Sequence, residues 1–96
     1  MTDEIKAQAL ALMKTRLNRL EGDTSLDQYF EMRISAAIEA TERTGIHLQD
    51  TPNDLMLVVD TAVWEYQNRD KPGGMPDWLR LRRRERWISQ ERGESS

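Results

Sequence analysis

Thr51-Pro52-Asn53-Asp54-Leu55-Met56-Leu57-Val58-Val59-Asp60-Thr61-Ala62-Val63-Trp64-Glu65-Tyr66-Gln67-Asn68-Arg69 is the stretch that decides the fold. Thr51 suits a helix N-cap, because its hydroxyl can accept one of the first free backbone N–H groups. Pro52 fits the first helical position, where no donor is needed. Asp54 sits in the first turn, where the helix dipole favours a negative charge. Leu55 to Val59, Ala62, Val63, Trp64 and Tyr66 then cover most of the circumference. A helix apolar nearly all round is central to a domain or shared between subunits. Only a narrow polar line remains, Asn53, Asp60 and Gln67, spaced by seven. Asp60 has two readings: a buried, paired acid at a subunit contact, or a member of that line facing water. The second is favoured. Met56, Asp60 and Trp64 fall on one side of the helix and are the candidate subunit-contact residues.

Working outward, Leu26, Phe30, Ile34, Ala37, Ile38 and Thr41 form one face of a preceding helix, expected over about Leu26 to Thr44. Ser25 with Gln28 reads as its capping box. Gly45 suits the left-handed position just past its end. Met32 points away from the stripe. A first helix is expected from about Asp3 to Leu20, with Ile5, Ala9, Leu12, Met13, Leu17 and Leu20 on one face and Gly22 as its stop. Arg16 falls inside that stripe, its stem packed and its head reaching water. Downstream, Lys71-Pro72-Gly73-Gly74-Met75-Pro76 must break the chain. A fourth helix is expected from Pro76 to about Gln90, with residues 93–96 frayed. No period-2 segment, hairpin signal or internal repeat is read. The expected fold is all-α: one domain over residues 1–96, with a core over 3–70 and a Pro/Gly-hinged basic C-terminal helix.

The composition agrees with one small domain. Of 96 residues, 38% are hydrophobic and 32% charged, and a lone core at this size is thin, so assembly would help. The absence of cysteine removes disulfides, thiolate nucleophiles and zinc–cysteine sites. No apolar run is long enough to cross a bilayer, and the acidic Met1-Thr2-Asp3-Glu4 does not read as a signal peptide. The net charge is −3, but it is divided. Residues 1–68 carry 6 basic and 12 acidic side chains, whereas residues 69–92 carry 8 basic and 4 acidic. That split is the first functional clue.

Chemistry at a catalytic centre finds little support. His47 is the only histidine; with Asp50 three residues on, it reads as a structural loop pair rather than a dyad or metal site. Glu39 and Glu42 read as a solvated face beside Arg43. Gly73-Gly74 matches no phosphate-loop pattern. No catalytic, cofactor-binding or metal-ligating residue is expected, and the chain is read as a non-enzyme without cofactors.

The fourth helix carries the informative chemistry, Asp77-Trp78-Leu79-Arg80-Leu81-Arg82-Arg83-Arg84-Glu85-Arg86-Trp87-Ile88. On a helical wheel Trp78, Leu81, Glu85 and Ile88 form one stripe, while Trp87 and Leu79 point to other sides. One monomer cannot easily cover them all. Trp and Arg are the residues most enriched at interface hot spots, and Arg binds carboxylates and phosphates through a two-pronged fork. Trp78, Arg80, Arg82, Arg83, Arg84, Arg86 and Trp87 are therefore the candidate partner-binding residues. Three readings compete: a solvated basic face, a protein interface on acidic surface or a neighbouring copy, and nucleic-acid binding. The protein interface is favoured. The chain is acidic overall and lacks a clear helix-turn-helix spacing.

The segment Asp54 to Asp70, ending Tyr66-Gln67-Asn68-Arg69-Asp70, resembles the head–tail connector (adaptor, head-completion) proteins of long-tailed bacteriophages. Members of that family tend to end this helix with an aromatic residue, then Asn-Arg and an acid. The turn at Glu21-Gly22-Asp23, the Thr44-Gly45 exit and the Thr51-Pro52 start also match the layout. Lys71 to Leu79 looks like the form in phages or prophages of Gram-positive hosts. The resemblance covers about residues 5–92. One departure is the first helix, which is longer and Ala-rich where many members carry a Leu-rich segment. The resemblance implies a ring, typically dodecameric, under the portal at the capsid vertex. Double-stranded DNA would pass through it without sequence-specific binding, and a stopper or tail-completion protein would follow. It further implies a place in the virion neck, after assembly in the host cytoplasm, and no membrane. The alternative is a small DNA-binding packaging or regulatory protein using the Arg-rich helix; a helical regulatory partner, as in toxin–antitoxin pairs, is a further possibility.

Overall fold

The computed structural model describes residues 1–20 and 22–93. Four helices follow in order: α1 (Asp3–Arg16), α2 (Asp27–Arg43), α3 (Pro52–Gln67) and α4 (Asp77–Glu91). No strand occurs among the described residues. The frayed tail expected at residues 93–96 lies, beyond Gly93, outside them.

α3 is the hub, and α1, α2 and α4 each pack against it. Thr51 caps it as read: its hydroxyl accepts the Asp54 N–H at 3.2 Å. The core joins Ala9 and Met13 of α1, Phe30, Ile34, Ala37 and Ile38 of α2, and Leu55, Val58, Val59, Ala62 and Val63 of α3. Tyr66 closes one end, edge-on to Phe30 with ring centroids 5.2 Å apart. Ile46 and Leu48 plug the same core from the α2–α3 connection, while His47 and Gln49 face outward. That alternation makes the connection a short extended brace. Gly45 leads into it with φ +98°, the left-handed conformation its lack of a Cβ permits.

Two local expectations are corrected. α1 ends at Arg16, not near Leu20, because Asn18 takes φ +57° and closes a Schellman turn. There the Arg19 N–H donates to the Lys14 carbonyl at 2.8 Å. Leu20 is thereby left exposed. Ser25 does not cap α2; its N–H and hydroxyl both donate to Asp23 Oδ1, and α2 begins after Leu26 without a side-chain cap. These bonds hold the Asp23 carboxyl below its ordinary pKa. Lys14 of α1 is buried and pairs with Asp27 at 3.0 Å.

Candidate docking helix

α4 begins at Asp77, with Pro76 as its N-cap. Gly73 precedes it at φ +124°, so the Pro/Gly stretch turns the chain sharply before the helix. From there the residues at helical spacing that face the body are Leu79, Arg82, Arg83 and Arg86, with Gln90 one turn further. Leu79 is 0% exposed, yet it lies outside the continuous apolar core. The inward face of α4 is mainly arginine.

Each inward arginine meets a defined partner. Arg86 is buried and forks onto Asp54 of α3: Nε donates to Oδ1 at 2.7 Å and Nη2 to Oδ2 at 3.0 Å. Asp54 is 0% exposed and also accepts the Gln49 N–H at 2.8 Å. Its position in the first turn of α3 adds the favourable field of the helix N-terminus. The hydrogen bonds from Arg86 to Asp54 raise the arginine's pKa despite its burial. Arg86 Nη2 further donates to the His47 carbonyl at 2.8 Å. Gln90 completes the seam, accepting the His47 N–H at 2.6 Å and donating to the Gly45 carbonyl at 2.8 Å. The brace between α2 and α3 is thus stitched to α4 by backbone groups.

Asp60 forms the second anchor. It is 7% exposed and accepts bonds from two helices, Arg16 of α1 at 2.5 Å and Arg82 of α4. The water-facing line is corrected here: Asn53 and Gln67 are exposed, but Asp60 is buried between two guanidinium groups. Arg16, whose head was expected to reach water, is exposed and also holds Asp60. Arg83 is less well served. Its Nη2 donates to Thr41 Oγ1 at 3.2 Å, its Nε is buried without an acceptor, and burial lowers its pKa, partly opposed by Glu65.

The outward side carries large apolar residues among its charged ones. Trp78 is 49% exposed and Leu81 56%, with Trp87 exposed on one flank and Ile88 half-buried. The stripe of Trp78, Leu81, Glu85 and Ile88 read from the wheel therefore looks away from the body. Of the candidate binding arginines, Arg80 is exposed and pairs with Asp77 at 2.5 Å, and Arg84 is exposed. Arg82, Arg83 and Arg86 are engaged within the chain. Of the candidate subunit-contact residues, Met56 is exposed, Trp64 half-buried and Asp60 internal.

The role of Asp54 as a buried anchor was not legible in the sequence, where it looked like an ordinary first-turn acid. Among the described residues no group of acids and histidines is placed to hold a metal ion. No helix among them is long and apolar enough to cross a membrane. No protein-family model, curated protein or solved structure matches the chain.

Proposed function

We propose that this chain is a structural connector of the tailed-phage neck, assembling as a ring under the portal and docking through the outer face of α4. The observation that carries the reading is the inverted helix. Arg82 and Arg86 turn inward to buried aspartates, and Trp78 and Leu81, neighbours on the opposite face, turn to solvent. A contiguous exposed apolar face on a small domain marks an interaction surface, and tryptophan is the residue most concentrated at interface hot spots. The resemblance of Asp54–Asp70 and Lys71–Leu79 to connector proteins supplies the kind of partner, portal on one side and stopper on the other.

DNA binding is less well supported by the same geometry. Asp54 and Asp60 neutralise Arg82 and Arg86, and Asp77 pairs with Arg80. Two of the five arginines that would track phosphates are thus taken up by buried acids on α3, and a third is paired at the surface.

The test is co-migration of the purified chain with purified portal from the same phage or prophage. The wild type is expected to bind and form rings there. Trp78→Ser with Leu81→Ser is expected to abolish binding while helicity and Tm stay near wild type. Binding by the double variant at wild-type strength, or no binding by the wild type, would refute the reading.

A further inference from the structure

An open cleft separates the C-terminal end of α2 from the flank of α4, lined by Thr44, Ile46, Arg83, Arg84 and Trp87. Its apolar part is Ile46 and the Trp87 indole. That indole lies over Gly45, with Nε1 3.6 Å from where a Cβ would sit. Several donors at the cleft lack an acceptor. Arg84 and the Trp87 indole N–H have none among the described residues. Arg83 has one bond, to Thr41, and a buried Nε with none. Arg84 and Trp87 are exposed, so a carboxylate can reach them without first breaking an ion pair.

We propose that this cleft receives an acidic–apolar segment of a protein partner. One carboxylate bridges Arg83 and Arg84, and a neighbouring apolar side chain lies against Ile46 and Trp87. The inference rests on the docking role of α4 and names the chemistry of what docks beside it. A carboxylate suits the donors, because guanidinium groups bind it through paired, charge-assisted hydrogen bonds. A nucleic-acid backbone suits them less. Glu42 and Glu91 are exposed on the two helices that form the cleft, and Glu65 acts on Arg83. Those charges repel any anion, and they repel a run of phosphates more than a single carboxylate held between two guanidinium groups. The apolar wall adds a second demand that phosphates do not meet.

The experiment is NMR of the isotope-labelled full chain with three probes: acetyl-Leu-Glu-Leu-amide, acetyl-Leu-Gln-Leu-amide and a short DNA duplex. Trp87→Phe identifies the indole signal. The glutamate peptide is expected to shift the Trp87 indole N–H and the Arg84 Nε–H. The glutamine peptide should bind about tenfold more weakly, the usual worth of a charge-assisted bond. Arg84→Gln, an exposed change that leaves the fold intact, should weaken the glutamate peptide by a similar factor. Equal response to the two peptides, no response to either, indifference to Arg84→Gln, or shifts by the duplex alone would each overturn the proposal. The two readings fail separately. A chain that joins portal but shows no glutamate preference refutes the cleft; one that shows the preference but never joins portal refutes the connector.

Discussion

The three-helix body and α4 are held together by opposite means. In α1–α3 the apolar residues turn inward and interlock, from Met13 through Phe30 and Ile34 to Val58 and Val59. In α4 Arg82, Arg83 and Arg86 turn inward beside Leu79, while Trp78 and Leu81 turn outward; Leu79 and Arg86 are its buried residues. Apolar packing is non-directional and tolerant of shape. A seam of buried ion pairs is specific in register, and its net contribution is small because desolvation offsets attraction. The body is thus built to be stable, and α4 to be placed. Placing it this way leaves Trp78 and Leu81 free to meet something else.

The most damaging change should be one to the body. Phe30→Ala removes a fully buried ring and is expected to cost about 3–5 kcal/mol, a large share of the stability of a small domain. Denaturant melts should show the whole chain losing helix in one transition. Asp54→Ala should come next, with a different character. It strands the Arg86 guanidinium in a buried site, which costs about 3–5 kcal/mol when one partner of a buried pair is removed. α4 can escape that penalty by lifting its arginine into water. The loss is therefore expected to be local: α4 should be cleaved early by protease while α1–α3 keeps its near-native melt. Asp60→Asn should do less, about 1 kcal/mol, because Arg16 and Arg82 are partly exposed and water screens the pair. A change equal to that of Asp54→Ala would show that the two anchors are not graded by burial. Least of all, Trp78→Ser with Leu81→Ser should alter stability by no more than about 0.5 kcal/mol, as exposed positions do. A large loss of Tm would mean that the outer face is part of the fold.

Much of the body was legible because its signals are local. Thr51-Pro52 and Gly45 mark helix ends by their own chemistry, and the α2 face from Phe30 to Thr41 repeats at the helical period. The end of α1 has a signal too, in Asn18, a residue that tolerates the left-handed conformation, but Gly22 further on is the stronger stop signal by residue type. The brace is different: the alternation of Ile46 and Leu48 with His47 and Gln49 is too short a run to read as a period-2 segment, and the sequence reading misses it. The seam was of another kind. Asp54 meets a partner 32 residues away and Asp60 one 22 residues away, each on another helix. A pattern of apolar residues cannot report which charges pair across such distances. On α4 it named the apolar stripe and left open which side met the body. The charge split between the two parts of the chain was the visible trace of that pairing. Taken alone it points to an external acidic or nucleic-acid partner, whereas two of the arginines, Arg82 and Arg86, are satisfied on α3.

Hydrogen exchange of the backbone amides in the wild type and in Asp54→Ala tests the division of labour most directly. Protection in α4, from Arg82 to Gln90, is expected to fall about a hundredfold or more on the substitution. Protection at Val58 to Val63 in α3 should change far less. A uniform fall across both helices, or no change in α4, would contradict the account that buried Asp–Arg pairs hold this helix in place.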